Sequence, residues 1–403
     1  MDINQYIKNS WKLTIHQANE SIPYPYTVPC MEDKTFLDFY YWDAYFINKG
    51  LLIDGLEEQA ENNLNNIVYF IEKLGFMPNC SSLLNRSQPP LFTKAVFEFY
   101  LHKNDKKVIE KYLPTILKEY DFWMTKRILP CGLNTYGEDS SEEELMENYT
   151  GLCDRVLEYR ETREEQLDLA KDILAIAESG WDFNMRFATE KSKVDIRSFV
   201  QIDINCILYE VEMLISQMFS LMENKDGEEK FIALAQKRKN LMDEILYDKE
   251  SGLYLDFNVS KGTFSPNVTL ASFYPYVFGV SDDCDAAKKL LSRLEKPYGL
   301  SVGEFRGEDA VYFQWDYPAM WPSAVCLIYM GLKRMGLIED AHRIANKYQS
   351  AVEKNYIKTG RIWEKYDATT GDIMVTAQEY GTPEMLGWTA ATYRYFENDI
   401  KGY

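Results

Sequence analysis

The sequence predicts an all-α fold, an (α/α)6 barrel or six-hairpin toroid with short β-hairpins at its mouth. Three observations carry that expectation. Apolar residues recur at the helical period along most of the 403 residues, strand-like segments are few, and no Gly/Ser-rich or Pro-rich linker or change of composition divides the chain. The clearest helix runs from Asp54 to Gly75, where Leu56, Ala60, Leu64, Ile67, Ile71 and Leu74 stand at i, i+4, i+8, i+11, i+15 and i+18. Asp54 is expected to cap its start and Gly75 its end. Similar patterns occupy about 3–20, 38–52, 91–103, 106–128, 160–178, 196–223, 227–246, 283–294, 322–335, 337–354 and 384–396, which makes roughly a dozen helices. A dozen helices in one domain, residues 1–403, suggest paired rings whose loops gather at one mouth.

Between the helices, Gly252–Phe257 and Gly360–Tyr366 alternate and begin at turn residues, so they read as hairpin strands. The acidic run Glu138–Glu144 reads as a solvated loop, with a mobile lid as the alternative. Arg160–Glu165 reads as the exposed first turn of a helix.

Composition narrows the function. A hydrophobic fraction of 46% with 27% charged residues, and no apolar run of membrane-spanning length, predicts a soluble protein with a substantial core. Met1–Tyr6 carries no basic cluster followed by an apolar run, so the expected location is the cytoplasm. A formal charge of −19 disfavours nucleic acid and anionic membranes and favours a small neutral partner, a carbohydrate. Seven scattered cysteines without a Cys-x-x-Cys pair suggest reduced thiols. Three isolated histidines offer no ligand set for a transition metal. Catalysis is therefore expected to rest on carboxylates, with neither metal nor cofactor.

Two segments place carboxylates beside large aromatic rings: Glu178-Ser179-Gly180-Trp181-Asp182-Phe183 and Trp363-Glu364-Lys365-Tyr366-Asp367. Cleaving a sugar–sugar bond needs one carboxylic acid to protonate the departing oxygen and a second carboxylate to activate water or attack the anomeric carbon. Tyr40–Phe46 packs Trp42 and Asp43 among further rings, and Gln314–Pro322 repeats the theme in Trp315 and Asp316. Aromatic faces stack on a pyranose while a carboxylate grips its hydroxyls. Asn79, Arg86 and Gln88 form a third polar loop with the amides a polyhydroxylated ligand wants. Taken singly these segments have structural alternatives: a buried aromatic helix start at Asp43, a helix-terminus cap at Asp182, a strand-edge surface acid paired with Lys365 at Glu364.

The motifs together resemble the trehalases of glycoside hydrolase family 37, over roughly residues 23–395. Phe36-x-Asp38-x-Tyr40-x-Trp42-Asp43-x-Tyr45 is similar to the first signature of that family, with Asp38 where a Glu is usual. The segment from Gln314-Trp315-Asp316 through Pro318 and Trp321 to Pro322 is similar to the second. Asn85–Pro90, Glu178–Asp182, Asp203-x-Asn205, Glu364–Asp367, and Glu379-Tyr380 followed by Gly387-Trp388-Thr389 extend the match. The resemblance implies an (α/α)6 barrel and an inverting hydrolase with Asp182 as general acid and Glu364 as general base. It implies that Asp43, Asn79, Arg86, Trp315 and Glu379 grip sugar hydroxyls or line the pocket. Phe36, Trp42, Gln88, Glu147, Trp181, Asp316 and Trp388 complete the expected substrate-binding set.

Two family arginines are replaced. Thr35 stands at one position, and the local match to Arg-Pro-Glu is Leu145-Met146-Glu147. Thr and Leu cannot supply a guanidinium's hydrogen bonds, so trehalose recognition is expected to weaken there. The expected substrate is an α-glucosidic disaccharide or small glucoside. The alternatives are a family-63-like α-glucosidase or α-mannosidase activity, and a sugar isomerase or epimerase on the same toroid.

Overall fold

The computed structural model describes residues 2–31, 36–374 and 381–402. Among them stand twelve helices of eleven residues or more: Ile3–Thr14, Tyr41–Ile53, Glu57–Leu74, Phe92–Lys103, Lys107–Lys126, Arg163–Ser179, Ile202–Leu221, Lys225–Ile245, Cys284–Leu294, Pro322–Arg334, Ile338–Thr359 and Gly387–Lys401. The dozen periodic segments correspond to them one for one.

Burial sorts these helices into two rings. Tyr41 to Asn48 and Pro322 to Tyr329 are each buried at every consecutive position, which only a helix without a wet face can satisfy. Lys225–Ile245 instead buries a stripe, Phe231, Ala235, Arg238 and Met242, and packs on Ile202–Leu221. Ile338–Thr359 lies likewise on Pro322–Arg334, and Glu57–Leu74 on Tyr41–Ile53. The last helix, Gly387–Lys401, packs against Tyr41–Ile53 and closes the ring. Gly50 allows that contact, because a Cβ there would stand 3.0 Å from the Ala391 Cα and 2.8 Å from the Trp11 ring. The architecture is an (α/α)6 toroid.

Several local expectations are corrected. Gly75 ends its helix with φ +90°, but the helix starts at Glu57 without a side-chain cap. Asp54 ends the preceding helix and is spent on Arg394 (2.8 Å) and Trp11 Nε1 (2.8 Å), partners no local pattern reveals. Leu253–Tyr254 does form a hairpin, with Tyr247–Asp248. Within 360–366 only Tyr366 is a strand residue; Tyr366–Asp367 pairs with Ala319–Met320, and Tyr366 also bridges Ile373 in a tight hairpin in which the Asp367 N–H donates to the Asp372 carbonyl at 2.8 Å. The acidic run leads into a short helix, Glu142–Glu147, capped reciprocally by Ser141 and Glu144. Thr162 and Glu165 build the same box at the start of Arg163–Ser179, as the charge pattern there suggests.

Candidate active site

A cavity of about 290 Å³ opens among the loops that join the helices. Of the residues expected from sequence, Phe36, Trp42, Asp43, Asn79, Arg86, Gln88, Asp182, Trp315, Glu364 and Trp388 line it.

Asp182 reaches the cavity because the helix Arg163–Ser179 stops abruptly. Gly180 adopts φ +75°, and a Cβ on it would lie 2.3 Å from the Trp42 ring. Only glycine tolerates both the backbone and the contact. Trp181 is then driven into the core, 5.4 Å from Trp315, and Asp182 emerges 27% exposed. Gln314 Nε2 donates to the Asp182 carbonyl at 2.7 Å, and Arg155 Nη2 donates to its Oδ2 at 3.0 Å. A guanidinium, rather than a purely apolar wall, is what this carboxyl meets.

Glu364 is held by its backbone. The Glu364 N–H donates to the Pro383 carbonyl (3.1 Å), and its own carbonyl accepts from Trp388 Nε1 (3.1 Å). The preceding Trp363 N–H donates to the Tyr366 hydroxyl (2.9 Å), and the Trp363 carbonyl accepts from Thr389 Oγ1 (2.7 Å). The pairing of Tyr366–Asp367 with Ala319–Met320 ties this segment to the loop that carries Gln314 and Trp315. The side chain itself is buried, with Lys365 Nζ 2.5 Å from Oε2.

The walls suit a sugar. Trp315 stacks on Trp321 at 4.1 Å and on Trp42 at 5.6 Å, and Trp388 meets Trp42 edge-on, giving apolar faces for a pyranose. Between them Asp43 Oδ1, Arg86 Nε and Gln314 Oε1 are buried without a protein partner. Unpaired polar atoms of that kind cost free energy unless a ligand or water meets them. Burial, with the Glu364 carboxylate nearby, pushes the Asp43 carboxyl up to about 8, so at neutral pH it offers a proton as well as lone pairs. Gln88 supports this wall by accepting the Trp42 N–H (2.9 Å).

Three of the described expected residues lie elsewhere. Trp181 backs the wall from the core without lining the cavity. Asp316 also stands behind it, buried, accepting the N–H groups of Met185 and Phe313 at 3.1 and 3.0 Å; burial pushes its carboxyl up to about 6. Glu147 is exposed at the end of its short helix and Leu145 is buried beneath it, so this stretch sends no side chain to the cavity. Glu379 and Thr35 fall outside the described residues.

Other residues matter to which the motifs assigned no role. Arg155, on the helix Tyr149–Val156, brings a guanidinium to the cavity where Leu145 had suggested its loss. No motif flags it; only the fold brings it to Asp182. Glu178, inside the Glu-Ser-Gly-Trp-Asp segment, is fully buried and binds Arg127 Nε at 2.9 Å and the Ser87 N–H at 2.8 Å, which anchors the loop bearing Arg86. Asp203 is scaffold too, accepting from Arg186 Nη2 at 2.7 Å. Among the described residues no cluster of His, Cys, Asp and Glu is arranged to hold a metal ion, and no helix is long and apolar enough to cross a membrane.

An (α/α)6 toroid with two aromatic-flanked carboxylates on one polar cavity defines a glycoside hydrolase. Comparison with known proteins agrees in detail. The family model described as Trehalase matches residues 2–400, and the chain belongs to that family. It is 32% identical to the trehalase of Apis mellifera over 91% of this chain and 62% of that one. It is 28% identical to the periplasmic trehalase of Xanthomonas campestris over 95% of this chain and 69% of that one. Its fold is similar to that of the neutral trehalase Nth1 from Saccharomyces cerevisiae, with a TM-score of 0.73 at 21% identity, covering 98% of this chain and 79% of that one.

The cytoplasmic location expected from the first residues is overturned: similar relatives from Xanthomonas and Pseudomonas are named periplasmic trehalases. A compartment is specified by an export signal rather than by the folded domain, so the composition of the catalytic chain does not report it.

Proposed function

We propose that this enzyme hydrolyses the α-glucosidic bond of a small disaccharide, trehalose first among them, with inversion at the anomeric carbon. Asp182 gives its proton to the departing glycosidic oxygen as the C1–O bond breaks. Glu364 takes a proton from the water that forms the new C1–O bond on the opposite face. Asp43, Asn79, Arg86 and Gln88 bind hydroxyls, and Trp42, Trp315 and Trp388 supply the apolar faces. Residues 1–403 act as one catalytic domain. The named periplasmic relatives support action outside the cytoplasm.

The observation that carries this reading is that Asp182 and Glu364, remote in sequence, line the same cavity between indole walls and unpaired polar atoms. Family membership favours hydrolysis over an isomerase or epimerase. The test is glucose release from trehalose and other α-linked disaccharides by wild type, Asp182→Asn and Glu364→Gln, with the product anomer read by NMR. Wild type is expected to release β-glucose first from one ring, and each variant to lose turnover by about a thousandfold or more, general acid–base loss being compounded by misplaced water. Retained activity in either variant would sink the assignment of that residue, and an initial α-anomer from both rings would sink inversion.

A further inference from the structure

We propose that Arg155 is the specificity-determining residue for the leaving sugar, a role that rests on Asp182 being the proton donor. The geometry carries the assignment. Arg155 Nη2 lies 3.0 Å from Asp182 Oδ2. A general acid must itself stand within about 2.6–3.2 Å of the oxygen it protonates. Because Arg155 engages Oδ2, the proton sits on the other carboxyl oxygen, and the guanidinium is within about 8 Å of the departing oxygen, a gap that one sugar unit with its hydroxyls can bridge.

Its setting fits that task. The helix Tyr149–Val156 buries Tyr149, Cys153 and Val156, which leaves Arg155 on the flank that borders the cavity. Its guanidinium carbon lies 4.6 Å from the centre of the Phe183 ring, so the planar fork is braced on an aromatic face next to Asp182. Arg155 and Asp182 are 35% and 27% exposed, whereas Glu364 is 1% exposed. The acid end of the cavity is thus the wetter one, and the retained sugar, which must face Glu364, sits in the dry end. A guanidinium donates and never accepts, so Arg155 reads the lone pairs of sugar hydroxyls or ring oxygens while its bond to Oδ2 keeps that oxygen an acceptor. Arg155 is a binding residue for the leaving sugar and a positioning residue for the carboxyl.

The test compares trehalose, which has a leaving sugar, with α-glucosyl fluoride, which has none and whose fluoride departs with little need of an acid. Arg155→Met is expected to lower kcat/KM for trehalose about ten- to hundredfold, as befits loss of a charge-assisted hydrogen bond, chiefly through KM. The loss with the fluoride is expected to be much smaller, and Arg155→Lys is expected to recover part of the KM for trehalose. Equal losses on both substrates, with melting temperature lowered, would mean that Arg155 only supports the fold and overturns the proposal. An unchanged KM for trehalose overturns it too. Asp182→Asn is run beside them: if it still hydrolyses trehalose, the proton-donor reading itself fails, whatever Arg155 does.

Discussion

Lys365 Nζ donates to Glu364 Oε2 at 2.5 Å, and neither side chain is more than 1% exposed. The ammonium also stands 4.9 Å from the centre of the Trp321 ring, so it is enclosed by the same indole wall that borders the cavity. Sequence reading offered this pair as the alternative to a catalytic role, a surface acid beside a surface base; the structure buries both. Replacing Lys365 by Met removes the cation facing a buried carboxylate, and breaking such a pair costs about 3–5 kcal/mol. Urea unfolding is expected to show that loss together with a fall in kcat. A variant as stable as wild type would mean that the pair is not integral to the wall.

Asp43 makes the enzyme pH-sensitive in a defined direction. Its carboxyl, pushed up to about 8 by burial and by Glu364, holds a proton that an unfolded aspartate releases near about 4. Between those two values the folded protein binds more protons than the unfolded chain, so stability falls as pH rises through that window. Asp43→Asn is expected to flatten that part of the stability–pH curve, measured by denaturant unfolding at steps from about pH 5 to about pH 9. An unaltered slope would remove Asp43 as its source.

Gly180→Ala tests the turn that delivers Asp182. The added Cβ would lie 2.3 Å from the Trp42 ring at a backbone φ of +75°. Left-handed strain and overpacking together cost about 2–4 kcal/mol, and relief can come only by moving Trp42 or Asp182, both on the cavity. Melting temperature and kcat/KM are expected to drop together. Normal activity in the variant would show that the loop absorbs the methyl elsewhere.

Glu178→Gln tests the anchor beneath the Arg86 loop. The carboxylate takes Arg127 Nε (2.9 Å), Arg127 Nη2 (3.0 Å), the Ser87 N–H (2.8 Å) and the Gly137 N–H (2.6 Å) with no exposure. An amide cannot accept all of these on both ends, so a loss of about 3 kcal/mol or more is expected from the stranded guanidinium. Because Ser87 adjoins Arg86, KM is expected to rise as well; a change in stability alone would uncouple the anchor from the site.

The helices were legible because each carries its own period. An outer helix such as Lys225–Ile245 writes its buried stripe into i, i+4, i+7 and i+11, and an inner one such as Pro322–Arg334 is apolar nearly throughout. Asp182, Glu364 and the indole walls were legible because their motifs are local strings. Asp54 misled because a cap and a distant ion-pair partner look alike in sequence, and Asp316 and Trp181 misled because motif membership does not say on which side of a wall a side chain stands.

By itself the sequence determined the ring of helices, the family and two carboxylates that line the cavity, since these depend on periodicity and contiguous residue strings. Only the tertiary structure decided that Arg155 meets Asp182, that Glu178 and Lys365 are buried anchors, and that Glu147 and Leu145 send nothing to the cavity. Those outcomes depend on where separate helices and loops come to rest against each other, and packing between remote segments leaves no period and no string to read.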